Sequence, residues 1–170
     1  MTNFVQNIDA VAELCDELIA AGFTPFLATR TDTLTALQEA LDDRVGLLIV
    51  PRDDNAIGIA AGMSLAGGCP AVLLSDAGVT GCSDAIASLV TPRRTPLLLV
   101  LSLGDEPVVD GGPTRRRLTE TLMAELGIQS VAIEATARLS ARVKLVRDIV
   151  RDDLRPAALL VPPDTDAWGT

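Results

Sequence analysis

The chain has 170 residues, enough for one domain with a substantial core, and 48% of them are apolar. Its formal charge of −9 repels phosphate backbones and argues against nucleic acid as a partner. No apolar run reaches membrane-spanning length, no basic leader precedes an apolar stretch, and histidine and tyrosine are absent. The lack of histidine excludes Ser-His-Asp and Cys-His catalysis, HExxH zinc sites and a histidine general base. A cytoplasmic protein is expected, whose chemistry rests on carboxylates, arginine, hydroxyls, backbone groups or a cofactor.

In chain order, Ile8, Val11, Leu14, Cys15, Leu18 and Ile19 recur at helical spacing, with Asn7 as N-cap and Gly22 just past the C-terminus. A strand is expected over Phe23 to Ala28, a helix over Thr33 to Leu41, and a buried strand over Val45 to Val50. A Gly/Ala-rich helix follows from Asn55 to Ala66, then a short strand from Ala71 to Leu74. Asp84 to Leu89 reads as helix and Leu97 to Leu101 as strand. Thr114 to Leu126 is a helix ended by Gly127, and Val131 to Ile133 a strand. Leu139 to Val150 is a helix and Ala157 to Val161 a last strand.

Strands that are apolar throughout imply a sheet covered on both faces. The expected fold is α/β: a doubly wound, mostly parallel six-stranded sheet with helices on both faces. A single domain over residues 1–162 and a tail over 163–170 account for the chain. Ligands in such folds bind at the carboxyl ends of strands, which singles out the segments beginning at Ala28, Pro51, Ser75 and Ser102.

Several motifs are missing. There is no G-x-G-x-x-G, no G-x-S-x-G and no phosphate-binding loop, the sole lysine being Lys144. Cys15, Cys69 and Cys82 match no zinc spacing, and Cys15 falls on an apolar helix face as a core residue. No metal-ligating set is found. Arg93-Arg94 and Arg115-Arg116-Arg117 read as solvated surface, or as contacts to an acidic partner.

Asp53 and Asp54 stand where a strand gives way to a helix, and their plain reading is capping and complementing the helix dipole. The surrounding text, Arg52-Asp53-Asp54-Asn55-Ala56-Ile57-Gly58 running on through Leu65-Ala66-Gly67 and Pro70-Ala71-Val72, resembles the pyrimidine-binding domain of thiamine-diphosphate enzymes. It is most similar to the alpha subunit of sulfopyruvate decarboxylase and the matching part of phosphonopyruvate decarboxylase. The similarity continues through Gly78, Ala85 to Leu89, Thr95 to Ser102 and the helix from Leu118, covering roughly residues 10 to 135.

The resemblance implies that Asp53 is the catalytic acid, hydrogen-bonding the aminopyrimidine ring of thiamine diphosphate. It implies that Asn55, Ser75, Asp76, Ala77 and Gly78 line the cofactor pocket, and that Thr29, Thr31 and Arg52 lie on the substrate side. The implied reaction is decarboxylation of a sulfopyruvate- or phosphonopyruvate-like 2-oxoacid to an aldehyde and CO2. The implied partner is a diphosphate-binding beta subunit with a Gly-Asp-Gly motif and a downstream Asn, which holds Mg2+. The assembly is then a hetero-oligomer.

The chain departs from that family in three places. Aspartate replaces glutamate at position 53, the Gln-Asn-Ser-Gly-Leu-Gly-Asn loop reads Ser75 to Gly81, and a histidine expected near Gly112 and Pro113 is absent. These departures motivate one alternative, a non-catalytic subunit that keeps the pyrimidine-domain fold. The paired Asp53-Asp54 invites another, a receiver-type regulatory module, whose acidic residues would follow the first strand and not, as here, the second.

Overall fold

The computed structural model describes residues 2–30, 33–102, 104, 112, 114–133 and 138–162, excepting the side chains of residues 2–8. Helix α1 covers Thr2–Ala20 and begins earlier than expected, so Asn7 lies inside it and does not cap it. No Gly or Pro interrupts Thr2 to Gln6, and the helix propagates back through them. At its other end Gly22 adopts φ +82. Its N–H donates to the Ile19 carbonyl and that of Phe23 to Leu18, a Schellman ending that only a residue tolerant of positive φ completes easily. Arg151 adds guanidinium hydrogen bonds to the Ala21 and Gly22 carbonyls, satisfying more of the helix's orphan acceptors.

That ending consumes Phe23, so strand β1 is shorter than expected, Phe26–Ala28. Helix α2 is Thr35–Val45, and with no breaker before Gly46 (φ +83) it runs past Leu41. Strand β2 is Leu47–Ile49, helix α3 Asp53–Leu65, and strand β3 Ala71–Ser75. A short helix α4, Asp76–Gly81, occupies what the sequence reads as a loop. Helix α5, Ser83–Ala85, continues into a π-helical turn over Ile86–Val90. Strand β4 is Leu98–Ser102 and helix α6 Arg115–Glu125, whose N-cap Thr114 accepts from the Arg117 N–H. Strand β5 is Gln129–Ala132, helix α7 Leu139–Arg147 with a π-helical turn over Asp148–Asp152, and strand β6 Ala157–Val161.

The six strands form one sheet in the order β2-β1-β3-β4-β6-β5, and every pairing is parallel. The doubly wound fold is therefore as expected, with a wholly parallel sheet. Successive strand residues alternate between two cores. Phe26, Leu73, Val100 and Leu159 face Leu14 and Leu18 of α1, Leu37 and Leu41 of α2, and Val143 and Val146 of α7. Leu27, Val72, Leu74, Leu99 and Leu160 face Ile57 and Ala60 of α3, Ile86 and Val90 after α5, and Met123 of α6. Each fully buried Leu or Val side chain contributes about 1.5–3 kcal/mol relative to exposure.

One expectation fails here. The second strand is an edge strand and not buried, with Leu48 at 42% and Ile49 at 39% exposure. Its apolar run looks like that of a central strand, but the winding puts only β1 beside it. Cys15 is buried in the core, as the helical spacing suggests.

Candidate functional site

The winding of the chain creates the site. The connection leaving β1 packs α2 on one face of the sheet, and the connection from β2 to β3 packs α3 on the other. β1 and β3 are neighbours, so a crevice opens between their carboxyl ends, the switch point where ligands bind in such sheets. Thr29 follows β1, Asp53 begins α3, and Ser75 ends β3.

The structure brings these three segments together. Thr29 Oγ1 donates to Asp53 Oδ1 at 2.6 Å, a short charge-assisted bond across 24 residues. The carboxylate is half-buried. It lies over Gly78: a Cβ there would meet Asp53 Oδ2 at 2.7 Å and its Cγ at 3.0 Å. Ser75 Oγ accepts from the Gly78 N–H at 3.0 Å, capping α4 and fixing the glycine in place. Among the described residues no donor is bonded to Asp53 Oδ2. Thr29 is itself held, because Gln38 Nε2 of α2 donates to its carbonyl at 3.0 Å. Gln38 is 8% exposed, one of the few buried polar side chains.

The remaining candidates fall elsewhere. Arg52 forms a bidentate pair with Asp54, Nε to Oδ1 at 2.9 Å and Nη2 to Oδ2 at 2.7 Å, on the exposed side of α3. The Arg52 hydrogen bond holds the Asp54 carboxyl below its ordinary range, and the same bond raises Arg52. Asp53 and Asp54 thus do not converge on one acidic pocket of the receiver type. Asn55 is exposed, two positions from Asp53 and so on a different side of the helix. Asp76 is half-buried; its Oδ1 accepts from the Ala77 N–H at 2.6 Å and its Oδ2 lies 3.7 Å from Arg115 Nε. Ala77 is exposed and Gly78 buried. Thr31 lies outside the described residues. Arg115, which the sequence groups with surface arginines, faces an acid of this same chain.

Two participants, Gln38 and Cys82, escaped the sequence reading. Gln38 has no motif, and only its position on the inner side of α2, four residues past Leu34, could have marked it. Cys82 is buried beneath α3; burial, and then the nearby Asp53 charge, push its thiol up to about 12. Ser102 ends β4 directly beside Ser75 and donates to the Thr33 carbonyl at 3.5 Å. A separate cleft of about 250 Å³ opens beside β2, lined by Arg30, Thr35, Gln38, Glu39, Asp42, Leu47 and Ile49. It does not include Asp53, although Gln38 and Arg30 adjoin both places. Among the described residues there is no cluster of metal-ligating side chains, and no helix is long and apolar enough to cross a membrane.

No protein-family model and no curated protein matches the chain in sequence. Among solved structures it is similar to a 2-oxoglutarate:ferredoxin oxidoreductase from Magnetococcus marinus, solved with 2-oxoglutarate, coenzyme A and succinyl-CoA bound. The TM-score is 0.68 at 16% identity, over 92% of this chain. The match spans only 28% of that larger chain. A likeness at this identity establishes a shared fold.

Proposed function

We propose that this chain is the pyrimidine-binding part of a thiamine-diphosphate enzyme acting on a 2-oxoacid. The observation that carries the reading is the Asp53 carboxylate. It is half-buried at the switch point of the sheet, bonded through one oxygen to Thr29, while its other oxygen rests against Gly78 and has no donor among the described residues. The fold shared with a structure that binds a 2-oxoacid supports the substrate class.

The residues present fit the aminopyrimidine ring. Asp53 Oδ2 would accept from, or share a proton with, a ring nitrogen. The glycine at position 78 lets the Asp53 carboxylate lie against the start of α4, where a Cβ would displace it. Ser75 and Gly78 would form the adjoining wall. Aspartate reaches about 1.5 Å less far than glutamate, so the ring must sit closer to the start of α3. Thiamine diphosphate, when bound, supplies the electron sink for loss of CO2. Its phosphates and Mg2+ fall to a partner with the Gly-Asp-Gly and Asn motif, and the finer expectation is a sulfopyruvate- or phosphonopyruvate-like substrate.

The test uses the chain assembled with its diphosphate-binding partner. Asp53→Ala is expected to abolish 2-oxoacid turnover, while Asp53→Glu retains it. Full turnover in Asp53→Ala would overturn the reading. It would instead favour a non-catalytic subunit, in which the Thr29–Asp53 hydrogen bond merely ties β1 to α3.

A further inference from the structure

We propose that Thr29 and Gln38 are positioning residues that fix which oxygen of Asp53 meets a ligand; the inference rests on the functional reading above. A carboxylate turns easily about its last torsion, which is broad and two-fold. An aspartate at the first position of a helix would by itself present either oxygen. Here Oδ1 is consumed by the Thr29 hydroxyl at 2.6 Å, and Oδ2 rests over Gly78. Among the described residues the site thus carries one committed acceptor and one without a donor, the latter packed on the Ser75–Gly78 side of the crevice.

The hydroxyl must in turn be held. Thr29 leaves the sheet at the end of a three-residue strand, where its carbonyl has no place in a long ladder. Gln38 satisfies that carbonyl at 3.0 Å. Burying a glutamine side chain costs rotamer entropy and desolvation, which only a specific bond offsets. An apolar residue would fill the same core position without that cost. The chain from α2 through Thr29 to α3 therefore orients Asp53 from a helix on the far side of the sheet.

The experiment has two readouts. In the full chain labelled with 13C at aspartate carboxyl carbons, the Asp53 resonance is assigned by its loss in Asp53→Asn. Thr29→Val is expected to shift it, Thr29→Ser to restore it, and Gln38→Ala to broaden or shift it. In the complex with its partner, Thr29→Val is expected to lower kcat about ten- to a hundred-fold, the loss of one charge-assisted bond, with substrate KM nearly unchanged. Thr29→Ser should recover most of kcat. An unmoved resonance in Thr29→Val, or equal kcat in the Val and Ser variants, overturns the positioning role. A shifted resonance in a complex that turns over fully without Asp53 overturns the enzymatic reading, and with it any catalytic purpose for the arrangement.

Discussion

Gly78→Ala is the perturbation that bears most directly on the site. Alanine is preferred over glycine within a helix by about 0.5–1 kcal/mol, so propensity alone predicts a gain. The packing predicts the opposite. The new methyl would stand 2.7 Å from Asp53 Oδ2, 3.0 Å from its Cγ and 3.3 Å from Ser75 Oγ. The carboxylate can swing clear only by releasing Thr29, at a cost of about 1.5–3 kcal/mol for a hydrogen bond to a charged group. The net expectation is a loss of about 1–2 kcal/mol, or roughly 2–8 °C in Tm for a chain of this size. Gly62→Ala in α3 is the control, because among the described residues no heavy atom beyond its own helix backbone and chain neighbours lies within 4 Å of its new Cβ; it should gain up to about 1 kcal/mol. Thermal and urea melts of both variants, alone and with Asp53→Ala, complete the cycle. Without the carboxylate, Gly78→Ala should become stabilising, a coupling of at least about 1 kcal/mol. If Gly78→Ala stabilises the native sequence as much as Gly62→Ala does, the carboxylate does not lie over residue 78, and the geometry argued for Asp53 is wrong.

Two further outcomes concern titration. The Cys82 thiol, pushed up to about 12 chiefly by burial, should resist a thiol reagent at pH 8 in the native chain and react fully in denaturant. Because its folded value exceeds the ordinary 9.0, its contribution to stability is complete below pH 9 and lost as pH rises towards 12, which melts between those limits would track. Rapid native labelling of Cys82 contradicts its placement. Asp148 is held below its ordinary 3.8 first by its hydrogen bond from Lys144, with Arg147 adding to the effect. Its contribution is therefore present above pH 3.8 and disappears as acid protonates the folded form; Asp148→Asn should weaken the chain slightly at pH 7 and progressively less as pH falls below 3.8, and a difference that did not shrink with acid would refute the pairing.

The alternation of apolar runs with helical spacing carries most of the fold, because each run must be covered and each helix has one apolar side. What it leaves out are the features set by neighbours. Leu47 to Ile49 has the composition of an inner strand, and only the winding of the chain makes it an edge. Helix α4 is hidden by Gly78 and Gly81, which lower local propensity, although Gly78 serves a close approach to Asp53. At the site, Asp53 is legible from its text at the strand-to-helix junction, and Ser75 and Gly78 from the end of the next strand. Asn55 and Arg52 share that text but point elsewhere, since a helix spreads consecutive residues around its axis. Gln38 could be placed from its spacing only on the inner side of α2, because its importance comes from a contact between elements and not from its own neighbours in the chain.

The sheet is a septum between two apolar compartments, and the Gln38–Thr29–Asp53 chain passes around its rim. The aspartate is mounted on the helix of one compartment and steadied from the other. Repacking on either side, even with conservative apolar exchanges far from the crevice, will be felt as a tilt of that one carboxylate. Variation among relatives should accordingly be tighter along the inner sides of both α2 and α3 than the demands of burial alone require.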